Sequence, residues 1–276
     1  MKKYRWFILL ILLMIASGCG NNDSAASTGT SDKKKDVVLK VGAASTPHAE
    51  ILKFIEPKLK EQGIKLEVVA INDGIQTNEQ TANGELDANY FQHTPYLEQT
   101  NKDSGLNLVN VKGVHIEPFG VYSKKIKSID ELSEGAKVAV PKDPVNFSRA
   151  LQLFADNGII ELDNDQSGDN AFTVEDISKN EKKLEFIAVD GPLLVRSLDD
   201  VEASAINTNY ALEADLKPVD DALIIEGKES PYVNILVTTP DKKDDESIQK
   251  LAKELTTEEV RKYIEDTFEG AVIPAF

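Results

Sequence analysis

Cysteine is nearly absent from this chain: Cys19 is the only one in 276 residues. A disulfide within the chain and a cysteine-rich zinc site are therefore excluded. Histidine is scarce too. His48, His93 and His115 stand too far apart in the sequence to suggest a metal centre. No Gly-x-Ser-x-Gly elbow and no His-Glu-x-x-His helix occurs. Positive charge is in deficit, with 31 Lys+Arg against 47 Asp+Glu and a formal net charge of -16. Such a surface gives phosphates little to bind, which argues against nucleic acid and against polybasic docking on a membrane. Long apolar runs are missing as well. The longest, Trp6 to Ile15, falls short of the roughly 20 residues a membrane span needs. These absences point away from an enzyme and call for no cofactor. A carboxylate pair among 47 acids stays open, but nothing singles one out.

The apolar run follows Lys2, Lys3 and Arg5 and precedes Ala16-Ser17-Gly18-Cys19. A basic start, a short apolar stretch and small residues before a break describe a secretory signal peptide over residues 1–18. A cysteine at that break resembles a bacterial lipobox, although Ala16 stands where Leu is usual. The resemblance implies a diacylglyceryl group on Cys19, cleavage before it and acylation of the new amine. The mature chain would then sit on the extracytoplasmic face of the cell membrane, anchored by lipid. Residues 19–36 are polar and read as a flexible tether.

About 240 residues follow, enough for one large domain or two lobes at roughly 100–200 residues per domain. Hydrophobic residues make up 41% of the chain, sufficient for a real core. Strand and helix patterns alternate from Val37, which predicts an α/β fold. Val37–Ala43 reads as a buried strand. Thr46-Pro47 reads as the cap and first position of a helix with Ile51, Ile55 and Leu59 on its apolar face, kinked at Pro57. Strands follow at 66–71 and 88–91, and Pro95 opens a helix. The extended run 114–122, broken by Pro118, is long enough to cross between lobes. Further strands are expected at 137–140, 184–189, 203–206 and 233–238. A helix capped by Asn146 runs to about Gly158. Two helices close the chain, the second opened by a capping box of Thr256 and Glu259.

The segment Gly84-Glu85-Leu86-Asp87-Ala88-Asn89-Tyr90-Phe91-Gln92-His93 resembles a hallmark of the methionine-binding lipoproteins of ABC importers. Further matches are His115-Ile116-Glu117-Pro118, Asp143-Pro144 with Asn146 and Arg149, Arg196 to Val201, Ile206-Asn207 with Asn209-Tyr210, Ser230 to Asn234, and Gly270 to Phe276. The resemblance covers roughly residues 37–276. It implies a two-lobed periplasmic-binding-protein-like fold with crossover strands and a central cleft. Lobe 1 would hold residues 37–116 and about 212–276, and lobe 2 about 117–211. It implies a single amino acid, methionine, as cargo, with the D isomer left open beside the L, and an ABC permease and ATPase complex as partner.

The same resemblance assigns Phe91, His93 and Tyr96 to the wall around the thioether, Arg149 to the ligand carboxylate, and Asn207 and Asn234 to the amine and carboxylate. Asn146 lies in the same turn as Arg149. The chemistry agrees. A guanidinium pairs a carboxylate through parallel N–H···O bonds. An amide offers an acceptor for ammonium and donors for carboxylate, and sulfur packs favourably on ring edges. His48, near a helix start, reads as a ligand contact or a cap, and His115 as structural. Where many relatives carry an aromatic residue, this chain has Asn72-Asp73-Gly74-Ile75, which predicts a slot with one wall open at Gly74. The segment Asp190-Gly191-Pro192-Leu193 departs as well. A methionine-containing dipeptide or another apolar amino acid is the alternative cargo. An extracytoplasmic enzyme and a ligand-free surface lipoprotein are the alternative classes.

Overall fold

The computed structural model describes residues 36–71, 73–163 and 171–276. The signal peptide, Cys19 and nearly all of the expected tether lie outside the described residues. Among the described residues no helix is long and apolar enough to cross a membrane.

The strands are β1 (Val37–Ala43), β2 (Ile64–Ala70), β3 (Ala88–His93), β4 (Val109–Ile116), β5 (Gly120–Tyr122), β6 (Lys137–Pro141), β7 (Glu161–Leu162), β8 (Ile177–Lys179), β9 (Glu185–Val189), β10 (Ala203–Ile206), β11 (Ile224–Ile225), β12 (Val233–Thr238) and β13 (Ile273–Pro274). They form a six-stranded sheet in the order β13-β4-β12-β3-β1-β2 and a five-stranded sheet in the order β11-β5-β10-β6-β9, beside a small β7-β8 ribbon. This is the two-lobed α/β architecture that the sequence suggested. The chain passes from the first sheet to the second between β4 and β5, at the run broken by Pro118, and returns between β11 and β12. Because β11 pairs antiparallel with β5, the second sheet runs past the return near residue 212 that the sequence suggested.

The main helices are α1 (Glu50–Glu61), α2 (Gly74–Ala82), α3 (Thr94–Ser104), α4 (Pro144–Asp156), α5 (Thr208–Glu213), α6 (Glu246–Glu254) and α7 (Glu258–Phe268). In α1, Ile51, Ile55 and Leu59 recur at helical spacing and are fully buried against α6, α7 and the first sheet. Its start differs from the expectation. Thr46 is extended, the Thr46–Pro47 bond is cis, and the helix proper begins at Glu50 and continues through Pro57. The last cap is also displaced by one residue. Thr257 accepts the Val260 N–H, while the Thr256 hydroxyl donates back to the Ala252 carbonyl. In β1, Val37 and Val38 are exposed, so the buried part of the strand starts at Leu39.

Each sheet carries its own apolar core. One gathers Val41, Ile51, Tyr90 and Leu236, and the other Val121, Val138, Leu151 and Phe154. Leu236 lies on β12 between β3 and β4 and is fully buried. Leu236→Ala should cost about 2–5 kcal/mol, from lost transfer energy and the cavity left behind. Val69→Ala, at a half-exposed position on edge strand β2, should change stability by about 0.5 kcal/mol or less. Urea unfolding followed by circular dichroism would rank the two.

Candidate functional site

β6 and β10 run parallel in the second sheet, and each feeds a helix at its carboxyl end, where α/β proteins place ligands. Asp143 caps α4. Its Oδ1 accepts the Asn146 N–H at 2.9 Å, and Pro144 follows at the first position, where its missing N–H costs nothing. Asn146 is therefore inside the first turn and not the cap expected from the sequence. Its Nδ2 donates to both Asp143 oxygens at 3.1 Å, which turns Oδ1 the other way. That oxygen lies 3.1 Å from His93 Nε2 and accepts from Asn207 Nδ2 at 3.2 Å. Asn146 thus joins the end of β3 in the first sheet to the end of β10 in the second.

His93 caps α3, with Nδ1 accepting the Tyr96 N–H at 3.2 Å. That bond fixes the tautomer, so Nε2 carries the proton and donates to Asn146. Burial, and then the nearby Arg149 charge, push the His93 pKa down to about 3, so the ring is neutral. Two residues earlier, Phe91 falls at a register shift. Ile235 faces Gln92 and Leu236 faces Tyr90, leaving Phe91 without a partner on β12, and such a bulge re-aims a side chain. Phe91 and His93 each meet the Tyr96 ring edge-on at 6.2 Å.

Gly74, the first residue of α2, lies against this group. A Cβ there would come within 2.7 Å of Tyr96 Oη and 2.9 Å of Phe91 Cε2. The open wall expected at Gly74 is absent, because the two rings occupy the space an additional side chain would fill. Gly191 abuts Tyr210 in the same way, at 2.7 Å.

Arg149 is in the second turn of α4, one turn later than expected, and is only 3% exposed. Its Nε and Nη2 donate to the two Glu226 carboxylate oxygens at 2.6 and 2.5 Å. Nη2 also donates to the Glu117 carbonyl at 2.9 Å. The guanidinium lies over Tyr232 at 4.0 Å and near Phe119 at 5.1 Å. Tyr232 in turn meets the His93 ring at 5.0 Å. Arg149 also borders a cavity of about 360 Å³ between α4 and residues 225–232; none of the other six expected site residues lines it.

Asn234 on β12 pairs with His93 in register, and its Oδ1 lies 2.9 Å from His48 Nε2. His48 Nε2 also stands 3.3 Å from Glu117 Oε1, which accepts from His115 Nε2 at 2.8 Å. Tyr90 Oη bonds His115 Nδ1 behind it. One side-chain donor atom from each of His48, His115 and Glu117 lies within 4.8 Å of the other two. The fold therefore brings together histidines that the sequence keeps apart, and hydrogen bonds account for that gathering. Desolvation lowers His48 to about 4 and His115 to about 3, and raises Glu117.

All seven residues expected from the sequence thus fall in one neighbourhood: a neutral polar surface (His93, Asn146, Asn207, Asn234), a guanidinium and an aromatic wall (Phe91, Tyr96). Arg149 Nη1 donates to none of the described residues, so one end of the fork is available to a carboxylate. Three neighbours escaped sequence reasoning. Tyr232 and Glu117 stood inside recognised segments without a role, and Glu226 carried no signal at all.

The family described as NlpA lipoprotein matches residues 39–276. The chain is 40% identical to "Methionine-binding lipoprotein MetQ" of Bacillus subtilis, over 99% of this chain and 98% of that protein. It is 39% identical to "D-methionine-binding lipoprotein MetQ" of Escherichia coli K12, over 88% and 90%. A solved structure of a nutrient-binding protein from Burkholderia cenocepacia, bound to methionine, superposes with a TM-score of 0.83. That protein is 41% identical, and the match covers 86% of this chain and all of that one.

The three buried histidines set a pH dependence. Each is held below its unfolded value of 6.5, so the unfolded chain binds more protons below that pH. Their contribution is complete above pH 6.5 and falls as pH drops, toward about 4 for His48 and about 3 for His93 and His115. Buried Glu117 and Asp143, both raised, act oppositely, and their penalty is greatest once pH exceeds their folded values. Between pH 7 and 5 the histidines should dominate, with a loss of up to about 2 kcal/mol each. Urea titrations at pH 7, 6 and 5 would test this. A flat or rising stability on acidification would contradict it.

Proposed function

This chain belongs to the NlpA lipoprotein family, and from that premise we propose that it captures methionine in the cleft for an ABC importer. As a lipoprotein of that family it is lipid-anchored on the extracytoplasmic face of the membrane. Its relatives are named as binding proteins, in keeping with capture and not turnover. The observation that carries the reading is the cluster itself: Arg149, Asn207 and Asn234 converge beside Phe91, His93 and Tyr96. A free amino acid needs one carboxylate site, one amine site and a slot for its side chain. Arg149 Nη1 is suited to the carboxylate, the asparagine amides to both ends of the backbone, and the ring edges to a thioether at about 0.3–1.5 kcal/mol per contact. The two lobes would close on the solute as a hinge about the crossings near Pro118 and Glu226, and the loaded form would dock on the permease and ATPase. The packing of Phe91 and Tyr96 against Gly74 favours an amino acid over a longer dipeptide.

Denaturing the purified soluble chain from Gly20 and weighing what it releases should yield methionine in near-stoichiometric amount. Calorimetry on stripped protein should then show binding of L-methionine, with the D isomer measured alongside. Asn234→Ala removes a bond to a charged ligand group and should weaken binding roughly ten- to hundredfold. Arg149→Ala should remove most of the affinity. A released solute other than methionine would keep the transport role and overturn the cargo.

A further inference from the structure

The site meets a ligand carboxylate with an arginine whose charge is already matched inside the protein. Glu226 takes the Nε–Nη2 edge of Arg149 in a two-point ion pair at 2.6 and 2.5 Å. The Glu117 carbonyl takes the second Nη2 hydrogen, and Tyr232 and Phe119 lie against the guanidinium. What remains is the Nη1 tip, fixed in direction and offset in charge. Lys142, next to Asp143, is exposed and paired with Asp190, and among the described residues no other lysine or arginine bonds to this cluster. The histidines beside it are held neutral by burial. Two acids stand close by, Asp143 behind Asn146 and Glu117 beside His48. A pocket built on a free arginine would favour any small anion. This one offers a donor for a carboxylate without a net positive field.

We propose that Glu226 is a specificity-determining residue that makes the pocket select zwitterions. A free amino acid brings its own ammonium and so suits a pocket without excess positive charge. A carboxylate with the same side chain but no ammonium, such as the deaminated acid, is disfavoured. The inference rests on the carboxylate-to-Arg149 reading above and adds which class of molecule the site excludes. Glu226 acts through Arg149, because its two oxygens are engaged by the guanidinium.

The test compares methionine with 4-(methylthio)butanoate, its deaminated anion, by calorimetry on the full chain stripped of solute, in three forms: wild type, Glu226→Gln and Glu226→Asp. Loss of ammonium contacts weakens the anion in every form, so the readout is the ratio of the two dissociation constants. Removing one charge several ångströms from the ligand carboxylate should move that ratio toward the anion by roughly ten- to hundredfold in Glu226→Gln. Glu226→Asp keeps the charge and should stay near wild type. A merely structural role would move both variants alike, and an unchanged ratio in Glu226→Gln, within about threefold, overturns the proposal. Should Glu226→Gln fail to fold, wild type decides against methioninamide, which keeps the ammonium and lacks the carboxylate charge. The amide must then bind more tightly than the anion, and the reverse order overturns the proposal. Absence of methionine binding in wild type defeats the functional reading and this inference with it. Methionine binding with an indifferent ratio defeats this inference alone.

Discussion

A guanidinium buried at the junction of two sheets constrains everything around it. Removing Arg149 from water costs several kcal/mol unless acceptors meet its donors. The acceptors come from the two places where the chain changes sheets. The Glu117 carbonyl belongs to the outward crossing between β4 and β5, and Glu226 and Tyr232 belong to the return between β11 and β12. Arg149 itself rides on α4, behind the second sheet's β6. One side chain therefore ties both crossings to one lobe. The residues that hold the charge are the same ones about which the lobes would turn, so a ligand at Arg149 and a motion at the hinge would share their contacts.

The strands were readable because each sheet has its own core. Short apolar stretches marked β1, β6, β10 and β12, and the helical spacing of Ile51, Ile55 and Leu59 marked α1. Caps were less readable, for a local reason. Asp143 and Asn146 both suit a helix start, and the choice falls to Asp143 because Pro144 must sit at the first helical position. Thr256 and Thr257 are adjacent and chemically alike, and only the direction of the preceding helix selects Thr257. Thr46 lost its expected role because a residue before proline is held out of the helical region, and Thr46 is extended. α2 went unread because its turns bury Thr77, Asn78 and Thr81, a polar face that satisfies itself through Gln92 and Asn89 and shows no apolar stripe.

The site was readable where one residue carries the chemistry by itself, and hidden where the chemistry lies in a partner. Arg149, His93 and the asparagines stood in recognisable segments. Glu226 stands in Glu226-Gly227-Lys228-Glu229, a stretch that looks like any solvated turn. Nothing in its composition says that one carboxylate folds inward while Glu229, three residues on, pairs with none of the described residues. Similarly, His48 and His115 are 67 positions apart in the chain, and their convergence on Glu117 depends on α1 packing over the sheet that holds β4.

Gly74 shows how a missing side chain can close a wall instead of opening it. Reading the chain alone, a glycine in place of an aromatic residue leaves a gap. In the fold, the rings of Phe91 and Tyr96 lie against the glycine backbone with no room for even a methyl. Gly191 and Tyr210 repeat the arrangement in the second lobe. Close-packed interiors fill space from whichever element can reach it, so a small residue often marks where a large neighbour is seated. The shape of the slot follows from the pair of residues at each contact, and the shorter member cannot be read without its partner.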